Sequence, residues 1–160
     1  MKHPQVIVLD ADGWVARQLR ELAEEGRWLV RTVRTVDAAM ALARERCASV
    51  LLVQVELGDV KHARLALVAD VHSAAPEVPV VAIADAKPPE VERAAWTAAL
   101  LDLGARFVLF PPVTKPVLED VVSGLMAATV RRVVGEGAVF APLPRRSEEV
   151  IDLADEEAEA

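Results

Sequence analysis

The chain has 160 residues, 53% of them apolar and 27% charged, which is one domain's worth of sequence, or one domain and a tail, with enough apolar side chain for a sizeable core. Aromatic residues make up 4% with no Tyr, and −5 of the formal net charge of −7 falls on residues 145–160, where seven acids stand beside Arg145 and Arg146. The remainder offers neither the stacking platforms nor the positive field that nucleic acid or anionic lipid requires, so neither is an expected partner. Lone Cys47 excludes a disulfide framework and a multi-cysteine metal knuckle. With no apolar signal core before the first acid and no apolar run of membrane-spanning length, the expected location is cytoplasmic.

The first apolar, β-branched run is Val6 to Leu9, and it predicts a strand buried on both faces. Residues 14–24 follow as a helix, with Val15, Leu19 and Leu22 on one stripe and Gly26 as its stop. The pattern then repeats: strand Leu29 to Val33, helix 37–46, strand Val50 to Val55, helix 60–74, strand Val80 to Ile83, helix 90–103, strand Phe107 to Phe110, helix 115–134. Pro76 and Pro79 bracket the turn after the third helix, and Gly104 ends the fourth. Strand and helix alternating five times predict an α/β fold, a parallel sheet covered on both sides by right-handed crossovers. The expected organisation is one domain over residues 1–134 and a Pro-containing acidic tail over 135–160.

From Gln5 to about Val134 the residues resemble the receiver domain of bacterial response regulators. VIVLDADGWVARQLRELAEEG resembles that family's first strand, acidic turn and first helix, and ASVLLVQVEL its third strand. PEVPVVAIADA resembles the fourth strand, and LGARFVLFPPV the Gly-Ala turn into the fifth. The resemblance implies a flavodoxin-like three-layer sandwich with strand order 2-1-3-4-5. The chemistry it implies is phosphoryl transfer to an aspartate, with an acid pair holding Mg²⁺ and a Lys on the phosphoryl oxygens.

The parts of that chemistry do not match. Asp10 aligns with the first acid of the pair, Ala11 stands at the second, and Asp12 follows as a partial substitute. The phosphoacceptor position falls on Gln54, whose neutral amide is no useful nucleophile toward phosphorus. Ala84 replaces the hydroxyl residue that senses the phosphoryl group, Val108 the aromatic switch, and Pro111 the Lys. Shifting the alignment by four residues would put Lys115-Pro116 at the Lys-Pro position. The ungapped reading is preferred because it leaves Thr114 as a helix cap with Pro116 in the first turn. It also makes Phe110-Pro111 or Pro111-Pro112 a candidate cis peptide, as the family's Lys-Pro bond implies.

Each feature also has a plainer explanation. Asp10 and Asp12 suit a solvated turn or a helix N-terminal charge, with no metal expected, and no cofactor is implied. His3, His62 and His72 show no ligand spacing. Cys47 reads as a small buried hydrophobe, and Trp14 and Trp96 as helix-face packing, with Trp14 in the loop beside the acidic turn where it could cover it. VLDADG also resembles the first motif of haloacid-dehalogenase-type phosphatases, which implies a Mg²⁺-dependent enzyme with Asp10 as nucleophile and Asp12 beside it. Asp85 and Lys87 are then the only recruits at the later strand ends.

The favoured expectation is a non-enzymatic pseudo-receiver that binds a protein partner in signal transduction, with homodimerisation through the fourth helix, fifth strand and fifth helix as one form. The fifth helix carries more apolar circumference than a core stripe needs, so Trp96, Val117, Val121, Val130 and Val134 are candidate interface residues. In the tail, Val150, Ile151 and Leu153, flanked by acids, resemble a peptide that adds a strand to a sheet edge. Truncation from residue 145 onward is expected to leave the melting temperature nearly unchanged, as read by calorimetry; a large loss would contradict the tail assignment.

Overall fold

A computed structural model describes residues 2–58 and 61–136. Five strands and five helices alternate: β1 (Gln5–Leu9), α1 (Trp14–Gly26), β2 (Leu29–Val33), α2 (Val36–Ala43), β3 (Ser49–Val55), α3 (Ala63–Ala74), β4 (Val80–Ala84), α4 (Glu90–Leu103), β5 (Phe107–Leu109) and α5 (Lys115–Glu136). The strands form one parallel sheet in the order β2-β1-β3-β4-β5. The chain divides into a unit of residues 1–130, which holds the sheet, and a unit of residues 131–160 whose described part is helical.

The period of two along each strand sorts the core into two layers. Val6, Val8, Val50, Leu52, Val81 and Ile83 face Val15 and Leu19 of α1 and Leu118, Val122 and Met126 of α5. Ile7, Leu9, Leu51, Val53, Val80 and Ala82 face α2, α3 and α4, which contribute Ala39, Leu67, Val68, Val71 and Leu100. Each fully buried Leu or Val contributes about 1.5–3 kcal/mol relative to exposure. Gln5 is buried within this apolar setting, and its Nε2 donates to Ser49 Oγ at 3.0 Å and to the Leu42 carbonyl at 3.2 Å, fixing β1 against β3 and the end of α2.

Several expectations are corrected. The central strands are buried on both faces, but β2 and β5 are the sheet's edges and are exposed or half-buried along their length, with Val33 of β2 the one buried residue of the two. An edge strand lacks a neighbour on one side, and Arg31 and Thr32 of β2 suit that position. The left-handed residue that ends α1 is Arg27 (φ 58°), not Gly26. Gly26 is needed for another reason: a Cβ there would lie 2.6 Å from the Trp28 indole. Helix α2 stops at Ala43 and α3 starts at Ala63, three residues inside each expected limit, while Asp59 and Val60 lie outside the described residues. Trp14 is the first residue of α1, packed half-buried against the α1/α5 layer and not held in a loop. Cys47 is half-buried, with Sγ 3.5 Å from Ser49 Oγ.

The turn from α4 into β5 depends on Gly104, which adopts φ 117° and lies so close to His72 that a Cβ would sit 2.5 Å from His72 Cβ. Gly104→Ala should lower the unfolding free energy by about 1–3 kcal/mol in urea titration. The contrasting change, Gly124→Ala in α5, where an added Cβ meets nothing within 4 Å, should raise it by about 0.5–1 kcal/mol.

Candidate functional site

In a parallel sheet of this order the connections from β1 and β3 leave in opposite directions, so a crevice opens at the carboxyl ends of those two strands. Asp10, the residue after β1, and Gln54, near the end of β3, both fall there. Asp10 is 7% exposed, and both its oxygens are engaged: Oδ1 accepts from the Gly13 N–H at 3.1 Å and Oδ2 from the Val15 N–H at 3.0 Å. Its carboxylate thus serves the free N–H groups at the start of α1, where the helix dipole also favours negative charge. Gly13, at φ 74°, makes the tight entry into the helix.

The Gln54 side chain lies across the same crevice. Its Oε1 accepts the Ala11 N–H at 2.8 Å, joining the β1–α1 loop to β3, and its backbone carbonyl accepts from Arg64 Nη1 at 2.7 Å. Arg17 Nη1 donates to the Asp12 carbonyl at 3.0 Å. Positive charge therefore enters the rim on two guanidinium groups. Asp85 lies just past β4; its N–H donates to the Val55 carbonyl and its Oδ1 accepts from the Leu57 N–H, both at 3.0 Å, which anchors the loop leaving β3. Neither the Arg64 nor the Asp85 contact was visible in the sequence, because both join residues of different elements through the backbone.

The residues present do not fit the divalent cation that the fold's familiar chemistry uses. Asp10 has one acceptor site on each oxygen taken by an N–H group, Ala11 offers no side-chain oxygen, and Gln54 brings a neutral amide whose oxygen is bonded to the Ala11 N–H. Among the described residues no three His, Cys, Asp or Glu side chains gather as a metal-binding group. Asp85, the only recruit for a phosphatase-type acid set, directs one carboxylate oxygen to Leu57.

Lys115 is clear of the crevice: it opens α5 and its Nζ lies 3.0 Å from Glu21 Oε2 of α1. That hydrogen bond, then the Glu21 charge, raises the ammonium above its ordinary pKa. Of the two bonds named as candidates, Pro111-Pro112 is the cis peptide. Ala84 is buried at the end of β4, Val108 packs against the α2–α4 layer from β5, and Pro111 is half-buried.

The candidate interface residues separate. Val121 and Val130 pack against the α1/α5 layer and supply core, Trp96 is half-buried, and Val117 is exposed. Val134 belongs to the second unit, and Val150, Ile151 and Leu153 lie outside the described residues. Large exposed apolar side chains that the sequence reading missed are Leu29 of β2, Val91 (83%) and Leu101 of α4, Phe107 (44%) of β5 and Val133 of α5. They were hidden because a helix pattern shows which residues share a face but not which face meets the sheet, and a strand's apolar run does not show whether it lies at the sheet's edge.

No protein-family model matches the sequence, and no curated protein matches it. Solved structures do. The receiver domain of NtrX from Brucella abortus is 22% identical with a TM-score of 0.60, the match covering 77% of this chain and 98% of that one. A signal receiver domain from Vibrio parahaemolyticus is 14% identical with a TM-score of 0.67, over 86% of this chain and all of that one (100%). A CheY-like response regulator receiver domain protein from Methanospirillum hungatei is 14% identical with a TM-score of 0.62, over 82% and 99%. This chain spans 31% of a longer NtrX chain from Brucella abortus. The chain thus has the five-stranded fold of response-regulator receiver domains. No helix among the described residues is long and apolar enough to cross a membrane.

Because Asp10 satisfies two helix N–H groups and Gln54 one loop N–H, Asp10→Ala should cost about 1–3 kcal/mol and Gln54→Ala about 0.5–1.5 kcal/mol in urea denaturation, both without added metal. Equal, near-zero effects would contradict a structural role for these side chains.

Proposed function

We propose that the chain is a receiver-fold module that takes no phosphoryl group and works in signal transduction by binding a protein partner. The observation that carries the reading is the Gln54 amide, which stands at the phosphoacceptor position and holds the Ala11 N–H at 2.8 Å. Phosphoryl transfer needs an attacking carboxylate and a cation to neutralise the charge that gathers in the transition state, and the crevice offers no acid at 54, while two acceptor sites of Asp10 are taken by N–H groups. Ala84, Val108 and Pro111 stand where a phosphorylated receiver would reorganise, so no covalent event biases one state of the module over another.

The binding surface in this reading is formed by α4, β5 and the start of α5. Val91, Leu101, Phe107 and Val117 are exposed there as large apolar side chains. Such side chains on a soluble surface suit a protein contact, which includes a second copy of the chain. A cytoplasmic setting, a partner that is neither nucleic acid nor membrane, the absence of enzymatic turnover, and a division into a domain of residues 1–134 and a tail of 135–160 complete the proposal. The low aromatic content and the concentration of acid in the tail support it.

Incubation with acetyl phosphate and Mg²⁺ should leave the intact mass and the size-exclusion elution volume unchanged, and a panel of phosphate esters with Mg²⁺ should show no turnover. A mass increase of one phosphoryl group that Asp10→Asn removes would overturn the reading in favour of phosphatase-type chemistry at that acid. Phe107→Asp with Leu101→Asp should abolish capture of the partner while leaving the chain folded, at a cost of about 1–3 kcal/mol in urea titration, since each side chain is only partly exposed.

A further inference from the structure

The opposite edge of the sheet carries a second, differently built surface. Strand β2 pairs with β1 on one side only, leaving a row of backbone N–H and C=O groups open along the other. Beside it, between α1 and β2, is a groove of about 300 Å³. Ala16 and Ala23 of α1 with Trp28 and Val30 form its apolar part, and Arg20, Glu24 and Thr32 its polar rim. From Gly26 to Val36 the sequence GRWLVRTVRTV contains Arg27, Arg31 and Arg34 and no acid. All three Arg are exposed, and none forms an ion pair among the described residues. Arg27 holds its place in the left-handed region, where glycine would be the easier residue.

The chain itself contains a segment of complementary character. In SEEVIDLADEEAEA, Ile151 and Leu153 fall on one side of an extended strand, while Glu148, Glu149, Asp152, Asp155, Glu156, Glu157 and Glu159 supply negative charge along it. We infer that the β2 edge with its α1 groove is a docking site for the acidic tail of a second copy of this chain, which adds residues 149–154 to the sheet as an extra strand. Backbone hydrogen bonds supply the alignment. Ile151 and Leu153 cover Trp28 and Val30, whose parity along β2 turns them toward α1. The flanking acids meet Arg27, Arg31 and Arg34, so the association is stronger at low salt. This surface lies on the other edge of the sheet from α4 and β5 and does not depend on the function proposed above.

Sedimentation of the full chain over a concentration series, at low and high salt, tests the inference. The expected result is a reversible dimer that salt weakens. Arg31→Glu with Arg34→Glu, and separately Ile151→Asp with Leu153→Asp, should each raise the dimer Kd about tenfold or more. Adding Asp152→Lys and Asp155→Lys to the Arg31→Glu, Arg34→Glu chain should restore association, a rescue that misfolding of the edge variant cannot mimic. Phe107→Asp should leave this dimer intact. A chain that stays monomeric at every concentration, a dimer indifferent to both edge and tail variants, or one lost only in Phe107→Asp would each overturn the inference.

Discussion

The hydrogen bond from the Ala11 N–H to the Gln54 side-chain oxygen sits at the place where this topology would otherwise leave an opening. Crossovers from β1 and β3 depart in opposite directions, and the gap between them is where open α/β sheets receive ligands. Closing it with an amide changes the electrostatics of the whole crevice. Acids gathered at one strand end repel one another and call for a cation. Residue 54 brings a neutral amide to the crevice, and Asp10 is balanced by two N–H groups at the positive end of α1. The remaining rim donors, Arg17 and Arg64, bring positive charge that a bound divalent cation would find unfavourable. One residue type therefore fixes both the loop position and the charge balance.

Much of the fold was legible in the sequence because parallel strands buried on both faces must be continuous apolar runs, and the crossovers between them must be amphipathic helices. The central strands β1, β3 and β4 obey that rule, and their positions were readable to within a residue or two. Edge strands do not obey it. Phe107 to Leu109 looks as apolar as the interior strands, yet part of its surface faces solvent, since hydropathy does not report where a strand falls in the sheet order; in Leu29 to Val33 only Arg31 and Thr32 hint at the edge. The end of α1 shows a second limit. Gly26 looked like a left-handed stop, but the constraint there is contact with the Trp28 ring, a packing effect that no local rule encodes.

The candidate site divides in the same way. Gln54, Asp10 and Asp12 were readable because they stand at strand ends, where residue type alone limits chemistry. Their partners were not. Leu57 with Asp85, Arg64 with the Gln54 carbonyl, and Lys115 with Glu21 are pairs whose members lie on different elements, brought together by strand register and helix placement. The fifth helix illustrates the cost of reading one element alone: its wide apolar circumference suggested an interface, but Val121 and Val130 complete the layer that α5 shares with α1. The exposed large apolar residues are spread instead over α4 (Val91, Leu101), β5 (Phe107), β2 (Leu29) and α5 itself (Val117, Val133).

If, as proposed, this receiver fold takes no phosphoryl group, it acts through the surfaces its resting structure already presents. The strand order places two such surfaces as far apart as one sheet allows: apolar side chains around β5 at one edge, arginines along β2 at the other. Their chemistry differs as well, the first suiting a desolvated apolar contact and the second a strand-like acidic segment whose grip weakens with salt. Because neither surface shares a residue with the other or with the crevice, occupation of one has no steric reason to exclude the other. On the function proposed above, a module of this kind would join two partners by geometry, and its regulation would then rest on the concentration of those partners and on ionic conditions rather than on a covalent change at residue 54.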